Sequence, residues 1–575
     1  MAACVGLFSA CTNDVITDEL IGNGSSSEKN AYASFSFVMP GSGAGTRATG
    51  GPAGDGSEVG SKVENDFTEA YILLFTGDVL EQTVLLGRND FTPKEEGNNT
   101  TYTTKADIAV SAATYNVYVV LNPTTDLKTT IAAKTKLTYT QFLASFEAVA
   151  ATTGEYCTDG RFMMTNADEI VSTVVTDENT QGKAKQVSIN VERLAAKITF
   201  VPKDGTNNVY NVHDVNDIET VIGTVAFDAY KVINTRNSAF NLRRVSALTD
   251  IESLTIGGKE TAAAGIATNY VVENEWTMKA KWDADKFKAN YSRKHTDYVA
   301  FRKLTTSGQT LAYCLENTMP ADKQIEGYST TVILRAKTSL KKKYVVGLAG
   351  DYGEDTYSGN LYKYAGKFFA SRQAIVKSEN PNWDNDTKKG LTNNTLGILT
   401  YIEKVEAENK DKQETEKVVI NQELILAYLN GIESKSLYDD YGVEFYANGN
   451  CYYKVILRHS DNSDSKVMGI MEFAIVRNNV YKLSIEGVNF LGSCSSGTPG
   501  PTDPENPGTG EPDVDPNNPN PEIPGEVVTP DPENPEPVGP IIPIDPTDPD
   551  EKNDTYLNVT IKVLDWTVRK NGVIL

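Results

Sequence analysis

Residues 556–575 read YLNVTIKVLDWTVRKNGVIL. Leu557, Val559, Ile561 and Val563 alternate with Asn558, Thr560 and Lys562, the period-two pattern of a strand with one apolar face. The apolar set then changes phase to Leu564, Trp566 and Val568, as a bulge or the crossing of a second groove requires. A lone strand can neither bury that face nor pair its backbone, so it is expected to add to a sheet, either its own or a neighbour's.

What precedes this strand holds it away from the rest of the chain. Pro499–Asp550 contains 17 of the 24 prolines and 13 Asp or Glu, with no Lys or Arg. Such a composition cannot build a core. Proline and like charge extend it, to a reach on the order of 150 Å at full extension. More than fifty structureless residues inside one compact domain would be unusual, which weighs against an ordinary strand returning after a long loop.

The other end of the chain carries a matching feature. In AYASFSFVMP (31–40), Ala33, Phe35, Phe37 and Met39 share one face of an expected strand. Directly after it, Gly41–Val59 is rich in Gly, Ser, Ala and Thr, and its only basic residue is Arg47. An open loop of this kind is where proteases cut, and Arg47-Ala48 is the tryptic-type bond within it. Upstream, Met1–Ala10 is apolar and small, and Phe8-Ser9-Ala10-Cys11 resembles a lipobox, which makes Cys11 the expected lipidated residue.

Between the ends, the chain of 575 residues is long enough for two or three domains. Short apolar runs, 28 Tyr and frequent turn residues favour an all-β body. Strands are expected at Phe67–Phe75, Ala113–Asn122, Met163–Met164 and Val187–Val201. Further strands follow at Val221–Ile233, Gly327–Lys337, Lys342–Leu348 and Met471–Phe490. A hairpin is expected over Val443–Leu457, turning at Asn448-Gly449. Thr138–Ala150 and Asn421–Gly431 read as helices. Asp351–Asp386 and Glu403–Lys417 read as charged surface loops.

Several functions are disfavoured. A net charge of -23 leaves no basic surface for nucleic acid. No apolar run of about 18 residues is present to span a membrane. His213, His295 and His459 read as ordinary surface or hairpin residues, and no HExxH, GxSxG or phosphate-loop motif occurs. Cys157, Cys314, Cys451 and Cys494 lack metal-site spacing and read as buried or free thiols, with one or two disulfides left open. No enzyme, metal or cofactor is expected.

The two ends point instead to assembly. Cleavage at Arg47-Ala48 would release the strand bearing Phe35, Phe37 and Met39 and leave an apolar groove with unpaired edges. Val559, Ile561 and Val563 of another copy would refill it, at roughly 1.5–3 kcal/mol per buried side chain. Repeated head to tail, such a contact makes a filament.

These residues resemble the Mfa-like and FimA-like fimbrillins, the type V pilins of anaerobic Gram-negative bacteria. The resemblance rests on FSAC ending at Cys11, on SFSFVMP before Arg47-Ala48, and on VERLAAKITF (191–200). It rests further on YCLENTMP (313–320), on MEFAIVRNNVYKLSIEGVNFLG (471–492) and on the strand around Asp565-Trp566. It implies two tandem transthyretin-like β-sandwich domains with a few short helices. The organisation expected is a signal and removable strand (1–47), sandwiches at 48–203 and 204–495, an acidic Pro-rich linker (496–551) and a C-terminal donor strand (552–575). It also implies export as an outer-membrane lipoprotein precursor anchored by its lipid, and cutting by an Arg-specific protease. Polymerisation with copies of itself and related pilins would follow, into a cell-surface fimbrium for adhesion and biofilm through host or bacterial surface receptors. The alternatives are an accessory, tip or anchor pilin, or a monomeric surface lipoprotein adhesin whose C-terminal strand completes its own sheet.

Overall fold

In the computed structural model the chain is described over 29–39, 57–133, 155–256, 262–273, 301–497 and 556–567, with short breaks inside these ranges, and at 526, 528 and 539. The first strands are β1 (Ala31–Met39), β2 (Ser57–Val59), β3 (Glu69–Thr76), β4 (Val79–Gly87), β5 (Phe91–Glu96), β6 (Asn99–Thr104), β7 (Ile108–Val110), β8 (Ala113–Leu121), β9 (Met164–Asn166), β10 (Val171–Val175) and β11 (Lys185–Arg193). All but β2 join one sheet in the order β4-β3-β8-β9-β11-β1-β6-β5, with β10 on β8 and β7 on β1. The sheet curls about one core in which Phe35, Phe37 and Met39 meet Ile72, Leu74, Val117, Val119, Ile189 and Val191. The β-branched and aromatic runs expected at 67–75 and 113–122 are its central strands β3 and β8.

The expected single strand over Val187–Val201 is broken at Leu194-Ala195, where the chain leaves this sheet for another. It continues as β12 (Ala196–Phe200), β13 (Val209–Asp214), β14 (Asp217–Ile233), β15 (Arg244–Ala247), β16 (Asp250–Ile256), β17 (Ala262–Ala263), β18 (Ile266–Ala267) and β19 (Asn269–Val271). Then come β20 (Arg302–Lys303), β21 (Gln309–Cys314), β22 (Thr331–Lys341), β23 (Val345–Val346), β24 (Thr356–Tyr357), β25 (Leu361–Tyr364), β26 (Lys367–Phe369), β27 (Glu444–Tyr446), β28 (Asn450–Ile456), β29 (Asn479–Val488) and β30 (Leu557–Thr567). A five-stranded sheet, β2-β30-β29-β12-β21, faces a six-stranded one built on β13-β14-β22-β24 with β20 and β28. Ile198, Leu311, Tyr481 and Leu483 of one layer pack with Val225, Phe227, Leu334 and Tyr453 of the other, which is a two-layer β-sandwich.

The expected surface loops at 351–386 and 403–417 are largely something else. Strands β24, β25 and β26 and the helix Arg372–Glu379 occupy the first, and the helix Ile398–Glu408 runs into the second. Trp383, Ile375, Ile398, Ile402, Ile425 and Leu429 form a separate small core there. The spacing of Ile398, Ile402 and Val405 gives the last helix an apolar face that its many charges conceal. The helix expected at Asn421–Gly431 is Gln422–Gly431, with Asn421 capping Leu424 N–H at 2.9 Å.

Two strand expectations are corrected. Lys342–Leu348 is a short 3-10 turn followed by the two-residue β23. The turn at Asn448-Gly449 exists, with both residues in the left-handed region, but its flanking strands do not pair. Instead β27 pairs with β25 and β28 with β22. A Cβ on Gly449 would lie 3.2 Å from the Thr338 carbonyl oxygen, so the turn is pressed against β22 rather than projecting as a hairpin tip. The helix expected at Thr138–Ala150 lies outside the described residues.

Candidate assembly site

The two strands singled out at the chain ends each occupy a seat between two other strands. β1 lies parallel to β11 over Ala33–Val38, and on its other side antiparallel to β6 over Ser36–Met39 and to β7 over Ala31–Ala33. It is therefore an inner strand. Phe35, Phe37 and Met39 are at most 1% exposed, and Ser34 on the opposite face is buried as well. Phe37 packs on Phe91 at 5.1 Å between ring centroids, and Phe67 closes the cluster against Phe91 and Tyr102. The polar face is satisfied by threonines of β6: Ser36 Oγ lies 3.0 Å from Thr103 Oγ1, and Thr104 Oγ1 accepts from Phe35 N–H at 3.2 Å. Removing β1 would open one edge on β11, another on β6 and β7, and the apolar slot between them.

The second seat lies in the other body. β30 runs antiparallel to β29 from Leu557 opposite Val488 to Asp565 opposite Asn479. Beyond that, Asp565, Trp566 and Thr567 pair in parallel with Ser57, Glu58 and Val59 of β2. Leu557, Val559 and Ile561 pack against the sandwich core but remain half-buried. The irregularity expected in the tail falls on its partner, between Ile485 and Gly487 of β29, while the register of β30 is continuous from Val559 to Asp565. Tyr556 starts the strand, its carbonyl accepting from Asn489 N–H at 2.9 Å and its ring meeting Phe490 edge-on.

A set of charges fastens β2, the outer wall of this seat. The Glu58 carboxylate lies 2.5 Å from Lys482 Nζ on β29 and 3.6 Å from Lys197 Nζ on β12. Lys197 also reaches Glu64 at 3.0 Å, and Glu64 accepts from Tyr313 Oη at 2.8 Å and Ser61 N–H at 2.7 Å. Burial pushes the Glu64 carboxyl up, but Lys197 and these hydrogen bonds outweigh it and hold the group below its ordinary value. Burial of Arg193, the last residue of β11, pulls its guanidinium down to about 10; it donates to the Glu64 carbonyl at 2.9 Å, to Asn65 and to Asn478 Oδ1. Nothing in the sequence singled out β2: three residues beside a Gly-rich loop carry no period of their own.

Away from the two seats, further ion pairs are fully buried. Arg477 makes a two-pronged contact with Glu316 at 2.7 Å and donates to the carbonyls of Phe240 and Asn241. Arg243 faces Glu192 at 3.2 Å, and Arg236 faces Glu273 at 3.5 Å.

Of the other residues expected to matter, Cys11, Arg47, Ala48 and Val568 lie outside the described residues, as does His295. Val563 and Trp566 belong to β30. His459, expected at the surface, is 2% exposed, with Nδ1 2.7 Å from Tyr481 Oη. It is placed there because the chain after β28 turns inward under β29. Cys157, Cys314, Cys451 and Cys494 are buried and not joined in disulfides, and burial pushes Cys451 up to about 11 and Cys494 up to about 12. Among the described residues no cluster of His, Cys, Asp and Glu could hold a metal ion, and no helix is long and apolar enough to cross a membrane.

Residues 444–572 match the family model described as major fimbrial subunit protein type IV, fimbrillin, C-terminal. The matched span includes β29 and β30, whereas β2, the outer wall of the seat, lies outside it. No curated protein matches the chain. Among solved structures, a protein from Parabacteroides distasonis assigned to cell adhesion aligns at 11% identity over 93% of this chain and 99% of its own, with a TM-score of 0.35. The tip fimbrial protein of Porphyromonas gingivalis, solved with a C-terminal truncation, aligns at 8% identity over 79% and 95%, with a TM-score of 0.29. A fimbrial assembly protein from Parabacteroides distasonis aligns at 13% identity over 53% and 95%, with a TM-score of 0.23. Only the family match bears on what the chain does.

Proposed function

We propose that the protein is a structural pilin that polymerises by strand exchange, a reading supported by the similarity of residues 444–572 to the C-terminal part of fimbrillins. The precursor is exported as a lipoprotein on Cys11 and cut by an Arg-specific protease between Arg47 and Ala48. The freed segment carries β1 away, and the slot of Phe35, Phe37 and Met39 takes Leu557, Val559, Ile561 and Val563 from another copy, with Trp566 and Val568 continuing the contact. The result is a cell-surface fimbrium whose adhesion partners are host or bacterial receptors.

The observation that carries this reading is that β1, an inner strand of the first sheet, is joined to the rest of the chain only through the segment that holds Arg47. Strands of that kind are ordinarily the last to leave a fold; a cut beside one converts a covalent neighbour into a ligand that can dissociate. Depth supplies the direction of exchange. In its own seat the apolar side chains of the tail are half-buried, whereas β1's slot buries the apolar face of its strand completely, so a tail that moves there gains burial.

A second reading is favoured by the seat the tail already has. Paired with β29 and β2 of its own chain, it completes the sandwich of a monomeric adhesin. The test is a non-boiled denaturing gel of the full-length chain and of a truncation after Asp550, before and after an Arg-specific protease. A ladder from the cut full-length chain alone supports the pilin. A single folded band after complete cutting supports the monomer and rejects polymerisation.

A further inference from the structure

We propose that the seat between β29 and β2 is itself an acceptor for the tail of a second copy, independent of any cut at Arg47. This site lies in the second body, away from the slot of β1, and it needs no groove to be vacated by proteolysis. It rests on the tail being able to leave its seat and not on the filament described above.

The shape of the site is given by its present occupant. Nine residue pairs set the register on β29, and three more join the tail to β2. The apolar side chains Leu557, Val559 and Ile561 rest on the sandwich core. The tail of a second copy carries the same residues, so every contact made within one chain is available between two. Strand exchange of this kind needs no new interface, only a connection long enough to reach.

Residues 498–555 separate Gly497 from Tyr556 in the sequence. Partway along, Val528 N–H donates to the Phe301 carbonyl at 2.8 Å and Glu526 pairs with Lys303 on β20. Gly539 lies against the body as well, where a Cβ would come 3.2 Å from the Cys494 carbonyl oxygen. These attachments leave residues 540–555 to carry the strand to a seat, a span of about 50 Å at full extension. Tethering raises the effective concentration of a chain's own tail at its seat, so a second copy competes as chain concentration rises. Reciprocal exchange closes a dimer; one-way exchange propagates a chain.

The wall β2 closes the outer side of the seat. It offers only three residues, so the last part of the tail is held by parallel pairing with a strand pinned through Glu58 to Lys482 and Lys197.

Ser484 of β29 lies opposite Thr560 of β30, on the face away from the core. The experiment uses full-length chain with Arg47→Ala, Cys4→Ser and Cys11→Ser. One preparation carries Ser484→Cys, a second Thr560→Cys, and a third both. The four native thiols at 157, 314, 451 and 494 are buried and stay silent under native conditions. Mixed, the two single variants are expected to form a disulfide-linked dimer on a non-reducing gel, absent from either alone, in a share that rises with chain concentration. The double variant is expected to close within one chain at low concentration. Closure of the double variant with no mixed dimer at any concentration would overturn the proposal, because the seat would admit only its own tail. Failure of the double variant as well would overturn the register on which it stands. The protease-dependent ladder reads the slot of β1 separately, so either result can stand while the other falls.

Discussion

β1 and β30 are both laid between two strands, yet their seats differ in depth and in what fastens them. β1 is fully buried on its apolar face, largely half-buried on the other, and held by an aromatic cluster; its neighbours come from three strands of its own sheet. β30 is half-buried on the face that meets the core, and its outer neighbour is a three-residue strand fixed by side-chain charge. The first seat therefore resists loss of its strand through packing, which salt and pH hardly touch. The second is fastened partly by charged side chains, whose attraction salt screens. A subunit that gives up both strands in an order would give up the shallow one more readily.

The contrast is broken most directly at Phe37. Phe37→Ala in the uncut chain is expected to destabilise the first body by about 3–5 kcal/mol, as for other large-to-small changes in a tight core. Val559→Ala is expected to cost no more than about 1 kcal/mol because its site is half-buried. Chemical unfolding of the two variants, followed by a probe in each body, compares them; equal losses would erase the difference in depth.

Away from the seats, Arg477→Met leaves Glu316 buried without its partner and is expected to cost about 3–5 kcal/mol. Adding Glu316→Leu should return most of it, and a double variant as unstable as the single would mean that the pair holds the bodies by its charge as such. The measurement is the same unfolding curve, read for whether the two bodies still melt together.

A smaller effect concerns pH. The Glu64 carboxyl is held below its ordinary 4.5 in the folded chain. Its contribution is thus fully present above the unfolded value and is lost as pH falls through the lower, folded one. Wild type should exceed Glu64→Gln in stability at neutral pH, and the gap should close as acid titrates this carboxyl. A gap that widens in acid would reverse the sign. The smallest change expected is at Glu58, where a partly exposed pair is worth at most about 1 kcal/mol. Glu58→Gln should speed hydrogen exchange of the amides at 565–567, where β30 pairs with β2, while leaving those of β1 unchanged.

Much of the fold was legible because it depends on local pattern. The runs at 67–75 and 113–122 became β3 and β8, and the two terminal strands were visible from alternation alone. What escaped depends on distant partners. The break at Leu194-Ala195 has no turn residue to mark it; the chain simply exchanges one sheet for another. Asn448-Gly449 announced a turn correctly, but whether its arms pair with each other is decided by β22 and β25. The small core around Trp383 hid among charges because its apolar residues come from several short elements. At the candidate site, Phe35, Phe37, Met39 and the alternating tail were readable, whereas β2 and its carboxylate were not. A clamp made by one glutamate and two lysines far along the chain leaves no signature in sequence spacing.

The polar bridge beneath β29 has a mechanical meaning. Asn478, just before β29, donates its N–H to the Ala195 carbonyl at 2.9 Å and accepts from the Arg193 side chain at 3.1 Å. Arg193 ends β11, the strand on which β1 is laid. A pull on a strand seated at β29 therefore passes into β11 through short directional bonds, and Arg477 beside them adds a fully buried ion pair. The two seats are loaded in series across a stiff joint. In the filament proposed above, tension would stretch and break the seated strands before it bent the middle of any one copy.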